Sequence, residues 1–313
     1  MIKVVFFGTP KIAVKSLEYL YNSSEIEVVA VVTQEDKPSG RGHKLCAPPI
    51  KEKALELGLK VFQPKSIRRE PEVIEALKSL EPDFFVTFAF GQILSQEVLD
   101  IPKYETINLH ASLLPKYRGA NPIQRCIYNG DNVTGITTMI TVLDLDAGDI
   151  CKTEEIEITN TMTDVELATI ISEKSPELLE ETLIKLKAGE LKPRKQDESL
   201  VTFANKFAKQ DGLIDFSKKA KDIEYQIRAM YSWPNAFTYY KNKILKIMEA
   251  TAIPYEGCEE NGTVISITKE GIEVCAGTDK LLIKQVKPEG KGLMNAYAWA
   301  NGSGISSGDK LGV

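Results

Sequence analysis

Residues 107–118 have the sequence I-N-L-H-A-S-L-L-P-K-Y-R, and this stretch decides how the first half of the chain is interpreted. Ile107 and Leu109 predict the end of a short buried strand. The two-residue repeat of a strand puts Asn108 and His110 on one face. Together they supply a hydrogen-bond donor and a titratable group, which is typical of a catalytic site. For an isolated N-x-H motif, the alternative is a buried histidine that is simply hydrogen-bonded.

Strand and helix signals alternate on both sides of this stretch. Apolar runs predict strands and helical spacing predicts helices; the strands are 3–7, 27–33, 84–89 and 105–110, and the helices are 12–21, 51–57 and 71–80. This alternation predicts an α/β domain with a mostly parallel sheet covered on both faces. Ligands of such sheets bind beyond the carboxyl ends of the strands, where His110 lies. The first turn, Gly8-Thr9-Pro10, lacks G-x-G-x-x-G, which counts against a dinucleotide cofactor.

The second half of the sequence has a different pattern. The polar stretch 190–197 contains a proline and predicts the start of a linker. Beyond residue 208, short β-like runs separated by turn signals predict a small barrel. The predicted domains are therefore 1–189, a linker at 190–207, and 208–313. Clustered lysines in the barrel are compatible with an oligonucleotide-binding module, but such clusters are usually just an ordinary solvated surface.

Two local patterns lie between these regions. Thr163-x-x-Glu166 is a capping box that opens a long helix, and Pro176 is expected to kink or split that helix. The turn 144–149 places aspartates where a calcium loop has ligands. Asp149, however, stands where that loop needs glycine, so the calcium interpretation fails.

Composition indicates a soluble globular protein, with 43% hydrophobic and 27% charged residues. Five scattered cysteines without C-x-x-C favour a reducing compartment over a disulfide framework or a zinc site. No apolar run reaches the roughly 18 residues that a membrane span needs. The N-terminus predicts a first strand rather than a signal peptide, so we expect a cytoplasmic protein.

The loop at 34–49 is long for a connection between a strand and a helix, and it carries Lys37, Arg41 and Lys44. Loops of this length are usually functional or disordered. Its composition is compatible with a mobile solvated loop and with a basic flap that binds a polyanion.

The stretch N-L-H-A-S-L-L-P-K-Y-R-G-A-N-P-I-Q, with Asp146 in the later L-D-A-G-D, resembles the active site of the 10-formyltetrahydrofolate-dependent formyltransferases. The segments F-F-G-T-P-K-I-A-V, T-Q-E-D-K-P-S-G-R-G-H-K-L, D-G-L-I-D-F-S and R-A-M-Y-S-W-P-N-A-F resemble the methionyl-tRNA formyltransferase branch. The resemblance covers essentially the whole chain. It implies a Rossmann-like formyltransferase domain followed by a small C-terminal β-barrel that is OB-like. The departures, such as Phe90 and Phe216, lie outside the catalytic set.

The resemblance implies transfer of a formyl group from 10-formyltetrahydrofolate to the α-amino group of methionyl initiator tRNA. It implies that Asn108 donates to the developing oxyanion and that His110 shares this oxyanion or moves the amine proton. Asp146 would orient His110 and favour its protonated form. Neither a metal nor a covalent intermediate is expected.

Binding residues follow from the same resemblance. The folate is expected to contact Ser112, Leu113, Leu114 and Pro115, and residues 88–94 to complete its pocket. The tRNA is expected to contact Arg41, Lys206 and Lys209. We expect a monomer, since nothing in the sequence predicts a self-complementary surface.

Two alternatives remain open at this point. A formyltransferase acting on an amino sugar nucleotide or on glycinamide ribonucleotide would keep Asn108, His110 and Asp146 without needing the basic loop or the barrel. An RNA-binding regulator that has kept the fold without turnover belongs to a different class. The complete set of catalytic residues argues against it.

Overall fold

The computed structural model describes residues 1–39, 44–257 and 259–312. These residues group into two compact units that interleave along the sequence. The first unit consists of residues 1–119, 133–157 and 168–204, and the second of 120–132, 158–167 and the chain from 205 onward. The sequence predicts domain boundaries at 1–189, 190–207 and 208–313. These boundaries stay a prediction, because the compact units are defined by contacts and not by continuous segments.

All of the strands up to residue 204 belong to the first unit. They are β1 (Ile2–Gly8), β2 (Ile26–Val32), β3 (Lys37–Ser39), β4 (Lys44–Cys46), β5 (Val61–Phe62), β6 (Phe84–Phe88), β7 (Glu105–His110), β8 (Arg118–Gly119), β9 (Val133–Ile140), β10 (Ile150–Glu157) and β11 (Phe203–Ala204). Seven of them form one sheet in the order β10-β9-β7-β6-β1-β2-β5. Strands β5, β2, β1, β6 and β7 are parallel, whereas β9 and β10 are antiparallel. The predicted mixed α/β fold with a mostly parallel sheet is thus confirmed.

Helices accompany both units. They are α1 (Val14–Asn22), α2 (Pro49–Glu56), α3 (Pro71–Lys78), α4 (Gln96–Leu99), α5 (Pro122–Tyr128), α6 (Asp164–Lys187), α7 (Ala220–Ala229) and α8 (Ala296–Ser303). The capping box is present at the start of α6, because the Thr163 N–H donates to Glu166 at 2.8 Å and the Glu166 N–H donates to the Thr163 hydroxyl at 3.3 Å. Pro176 lies inside α6 without splitting it, so that part of the expectation is wrong. A proline removes only one backbone donor, and the helix continues on both sides.

Burial explains why the central strands are almost continuously apolar. All five residues of β6 are buried, as expected for a strand covered on both faces. On one face, Phe7 packs against Phe85 and Phe90 with ring centroids 4.8 and 5.4 Å apart. The parallel pairing of β6 with both β1 and β7 places the carboxyl ends of the three strands side by side, where the polar residues begin.

The second unit is built on an antiparallel sheet. Its strands are β12 (Phe237–Tyr240), β13 (Lys243–Ile253), β14 (Val264–Thr268), β15 (Gly271–Cys275), β16 (Lys280–Pro288) and β17 (Met294–Asn295). The order is β12-β13-β16-β15-β14, with β17 beside β16. The predicted small β domain at the C-terminal end of the chain is confirmed, and its sheet is antiparallel. Among the described residues, the strand pairings form an open path rather than a closed ring.

Two further observations complete the fold. Within the described ranges, no helix is both long enough and apolar enough to cross a membrane. Pro122 occupies the first turn of α5; the preceding Asn121 makes no side-chain cap to this helix, and its amide donates to Gln124.

Candidate active site

The carboxyl end of β7 presents Asn108 and His110 on the same face, as the sequence predicts. Asn108 lies opposite Thr87 of β6 in the parallel register, and the Thr87 hydroxyl donates to Asn108 Oδ1 at 2.8 Å. In this orientation of the amide, the hydroxyl hydrogen of Thr87 occupies Oδ1. The Nδ2 group has no acceptor among the described residues and is available to a substrate oxygen.

His110 is buried, with 5% of its surface exposed, and both ring nitrogens face protein atoms. Nε2 lies 2.8 Å from the backbone oxygen of Tyr117. A carbonyl oxygen can only accept, so Nε2 carries the hydrogen and donates. Nδ1 lies 3.7 Å from Asp146 Oδ2, which is longer than a hydrogen bond. In the neutral ring Nδ1 therefore keeps a lone pair, and a proton taken up there would face the carboxylate.

Asp146 lies in the turn between β9 and β10 and reaches back toward β7. Its Oδ2 atom accepts the backbone N–H of Gly119 at 2.8 Å, and 15% of its side chain is exposed. Its φ of +49° is in the left-handed region that non-glycine residues rarely adopt. Such a conformation costs about 1–3 kcal/mol and persists only where neighbouring groups enforce it. The chain therefore holds this carboxylate against a conformational preference.

Three residues that sequence reasoning missed hold the Asp146 turn. The Gln196 amide donates to the backbone oxygens of Asp146 and Gly148 at 2.7 and 2.8 Å. Arg118, which is 5% exposed, donates to Gln196 Oε1 at 3.0 Å and forms a salt bridge to Glu198 at 2.7 Å. No pattern in the sequence joins residue 196 to residue 146. The only sequence signal for these supporting residues was the polar character of the segment 190–207, which was interpreted only as a linker.

Cys151 on β10 does not offer a covalent nucleophile. Burial, followed by the charges of Glu105 and Asp149, raises the pKa of the Cys151 thiol to about 12. The thiol is therefore protonated at neutral pH and is a poor nucleophile.

The loop after β7 contains the four predicted folate residues. Ser112 is fully buried, and its hydroxyl donates to the backbone oxygen of Lys116 at 2.7 Å, so it stabilises the loop. Leu114 is buried with Met139 and Ile150. Leu113 and Pro115 remain partly exposed and are the two members of the set whose side chains a ligand can reach directly.

The second predicted wall of the folate pocket, residues 88–94, follows β6. The backbone oxygen of Phe90 accepts from the Thr9 hydroxyl and from the Gln34 amide, both at 2.9 Å. Gly91 has a φ of +82°, and a Cβ there would lie 2.4 Å from the Gln34 amide nitrogen. Ile93 is 68% exposed. The wall is rigid at Phe90 and offers an apolar side chain at Ile93.

Two of the three predicted tRNA residues are among the described residues. Arg41 falls outside the described residues. Lys206 and Lys209 are exposed and precede the antiparallel sheet.

Comparison with known proteins places these features in a family. Residues 2–183 match the family described as formyl transferase, and residues 206–304 match the formyl transferase C-terminal domain. A methionyl-tRNA formyltransferase of Clostridium novyi (strain NT) is 43% identical over 303 residues, covering 97% of each chain. One from Clostridium perfringens (strain 13 / Type A) is 45% identical over 310 residues, covering 99% of each chain.

Solved structures show the same fold at lower identity. An N-formyltransferase from Helicobacter canadensis, solved with folinic acid and dTDP-3-aminofucose, has a TM-score of 0.67 at 20% identity. The match covers 90% of this chain and 99% of that one. The HypX protein of Aquifex aeolicus, solved in complex with tetrahydrofolic acid, has a TM-score of 0.61 at 16% identity. At these identities the likeness concerns the fold alone.

Proposed function

The chain belongs to the formyl transferase family, in its methionyl-tRNA formyltransferase branch, and on that premise we propose that it formylates the α-amino group of methionyl initiator tRNA with 10-formyltetrahydrofolate as donor. The observation that carries the proposal is the arrangement of Asn108, His110 and Asp146 at one end of the parallel sheet. It occurs in a chain that matches methionyl-tRNA formyltransferases over nearly its whole length.

The chemistry follows from the charges that develop during transfer. The amine attacks the formyl carbon, so negative charge appears on the formyl oxygen and the attacking nitrogen must lose a proton. The Nδ2 group of Asn108, which the Thr87 bond leaves available, donates to that oxygen. One such donor typically contributes about 2.7–4 kcal/mol to transition-state stabilisation. The intermediate collapses when N10 of the folate leaves and gains a proton.

His110 and Asp146 are suited to the proton transfer. Nε2 of His110 is committed to the Tyr117 carbonyl, so Nδ1 is the ring nitrogen that can take up a proton. An imidazolium formed in this way would place its Nδ1–H toward Asp146 Oδ2. The present 3.7 Å separation can shorten on substrate binding, because catalytic hydrogen bonds are often long without substrate. No metal and no covalent enzyme intermediate enter these steps.

The folate would lie against the loop after β7 and the wall after β6. Leu113, Pro115 and Ile93 offer partly or largely exposed apolar surface there. Leu114 and Ser112 would act from below by holding the loop in place.

Basic residues of the second unit support a polyanionic substrate. Lys246 of β13 lies opposite Lys287 of β16, and its Nζ donates to Asn235 Oδ1 at 2.6 Å. Burial, and then the positive charges of Lys287 and Lys209, lower the pKa of Lys246. Within the described residues, none of these three lysines has a carboxylate partner within 4.0 Å. A cluster of this kind suits the phosphates of tRNA, which position the substrate rather than specify its sequence.

The basic cluster gives a direct test of the partner. Lys246→Gln and Lys287→Gln are expected to raise KM for the tRNA, leave KM for the folate unchanged, and flatten the dependence of tRNA binding on salt. Lys284→Gln is the matched control, since Lys284 lies on the same strand as Lys287 but faces Glu249 at 3.8 Å. Equal KM values for the tRNA in all three variants would remove this cluster from the binding surface.

A substrate panel tests the function itself. The protein is incubated with 10-formyltetrahydrofolate and, separately, with methionyl initiator tRNA, a dTDP-amino sugar or glycinamide ribonucleotide, and products are identified by mass spectrometry. Formylmethionyl-tRNA as the main product is the expected result. Transfer to the amino sugar or the ribonucleotide instead would overturn the proposal and leave only the family assignment.

We also infer a cytoplasmic monomer, because the substrate is part of translation and the candidate site is built from one chain. Light scattering of the purified protein is expected to give a mass near 34.8 kDa. A mass near twice that value would contradict the monomer.

A further inference from the structure

We propose that Gln196 is a positioning residue for Asp146, and that the segment 194–204 is part of the catalytic machinery rather than a passive connection. The inference rests on the proposed function, because it concerns the carboxylate that supports His110 in formyl transfer. The Gln196 amide donates to backbone carbonyls of the turn and not to a side chain of the catalytic set. It would act through the backbone of the turn that carries Asp146.

The Gln196 side chain makes three hydrogen bonds, each with a defined donor and acceptor. Both hydrogens of its amide nitrogen are used, one on the Asp146 carbonyl and one on the Gly148 carbonyl. Its Oε1 atom accepts from Arg118 Nε at 3.0 Å. Because an arginine can only donate and a carbonyl can only accept, the amide cannot be turned round without losing all three bonds. One side chain therefore clamps both ends of the bend at Asp146.

Arg118 in turn holds Gln196 in place. Its guanidinium is buried and pairs with both carboxylate oxygens of Glu198, at 2.7 and 3.3 Å. A planar guanidinium bound at two points has little freedom to rotate. The next residue, Gly119, donates its backbone N–H to the Asp146 carboxylate at 2.8 Å. The same short strand thus reaches the Asp146 backbone through Gln196 and the Asp146 side chain directly.

The rest of the segment is fixed on both sides of Gln196. Arg194 and Ile150 exchange two backbone hydrogen bonds at 2.8 and 2.9 Å, which ties the segment to the start of β10. Further along, the Thr202 hydroxyl accepts the backbone N–H of Tyr117 at 2.9 Å. Tyr117 is the residue whose carbonyl accepts the hydrogen bond from His110. The segment consequently supports both members of the His110–Asp146 pair.

The need for such support comes from the geometry of the turn. Asp146 has a φ of +49°, and Gly148 packs so tightly that a Cβ there would lie 1.8 Å from the Ile140 carbonyl. A strained turn relaxes when the contacts that enforce it are removed. Relaxation would move the carboxylate relative to Nδ1 of His110. A displacement of about 1 Å in a catalytic constellation can lower the rate about 100-fold.

Gln196→Met tests the inference, because methionine has a similar length but cannot donate to the two carbonyls. We expect kcat for methionyl-tRNA formylation to fall about 10- to 100-fold, with KM for the tRNA and the folate nearly unchanged. Gln196→Glu should be at least as impaired, since a carboxylate accepts from Arg118 but faces the two carbonyls with oxygen. Lys192→Gln, at an exposed position just before the segment 194–204, is the control and should keep wild-type kcat.

Two measurements separate positioning from a loss of folding. In an Asp146→Asn background, Gln196→Met should change kcat by less than about two-fold, because a residue that acts through Asp146 has nothing left to position. The chain has only two histidines, so imidazole Cε1–H NMR signals can be assigned with His43→Asn. Gln196→Met should shift the His110 signal and leave the His43 signal in place.

The outcomes distinguish this inference from the proposed function. If the wild type does not formylate methionyl-tRNA, the proposed function fails first. If the wild type is active and Gln196→Met keeps its kcat, the positioning role alone is wrong. If the effects of the two substitutions on kcat multiply in the double variant, Gln196 acts independently of Asp146. That result would also overturn the inference.

Discussion

Removing the hydroxyl of Thr87 should impair catalysis slightly, far less than removing the amide that it holds. Thr87 is 7% exposed and donates to Asn108 Oδ1 at 2.8 Å from the adjacent parallel strand. Thr87→Val keeps the shape of the side chain and deletes only this bond. Asn108 then loses the contact that orients its amide, while Nδ2 is still present in the side chain.

The magnitude follows from the value of one hydrogen bond. A neutral hydrogen bond contributes about 1 kcal/mol, which corresponds to about five-fold in a rate. A loss of about half of this energy in the transition state lowers kcat about two-fold. If the whole bond energy is lost in the transition state, the reduction reaches about five-fold. Asn108→Ala removes the oxyanion donor itself and should lower kcat about 100- to 1,000-fold.

The assay is kcat for formylmethionyl-tRNA synthesis at saturating folate and tRNA, with Thr87→Val beside Asn108→Ala. Thr134→Val is the matched control, because Thr134 is 3% exposed on β9 and its hydroxyl has no hydrogen-bond partner in the described part of the chain. The control should keep wild-type kcat. A Thr87→Val variant as inactive as Asn108→Ala, or one indistinguishable from the Thr134→Val control, would refute the reasoning.

Three further predictions concern individual sites. Gly119→Ala places a side chain on a backbone with a φ of +118°, at the residue whose N–H donates to Asp146. The free energy of unfolding in urea should fall by about 1–3 kcal/mol, and kcat should also fall. Unchanged values of both would contradict this. Thr163→Ala breaks the capping box of α6 and should reduce the free energy of unfolding by about 1 kcal/mol without affecting kcat; no loss of stability would show that the cap is dispensable. Burial raises the pKa of Cys151 to about 12, so iodoacetamide at pH 8 should modify the exposed Cys46 and leave Cys151 unmodified. Peptide mass spectrometry measures both, and early labelling of Cys151 would contradict its burial.

The pattern of apolar residues was sufficient for prediction where residues close together in the sequence determine the structure. The apolar alternation around Asn108 and His110 is enough to place both at the end of a buried strand, and the apolar runs are enough to predict a parallel sheet. Asp146 was assigned only through the resemblance to a family. A turn has no repeating pattern that reports where its side chain points.

The supporting contacts could not be predicted for a physical reason. Gln196 reaches the turn across 50 residues of sequence, and its partners there are backbone carbonyls, which every residue type possesses. The acceptor for His110 is likewise the backbone of Tyr117 rather than its side chain. The interleaving of 120–132 and 158–167 with the later part of the chain depends on long-range packing in the same way. Local sequence patterns contain no information on such contacts.

The most direct test of the central claim is the rate of formyl transfer from 10-formyltetrahydrofolate to methionyl initiator tRNA by wild type and by Asp146→Asn. Arg41→Ala, in the predicted tRNA-binding loop, is measured beside them. Asn at position 146 keeps the size of the side chain but removes the charge that faces Nδ1 of His110. The account predicts active wild type, a loss of about 100-fold or more in kcat for Asp146→Asn, and an effect mainly on KM for the tRNA in Arg41→Ala. An Asp146→Asn variant with near wild-type kcat would contradict the role given to the His110–Asp146 pair.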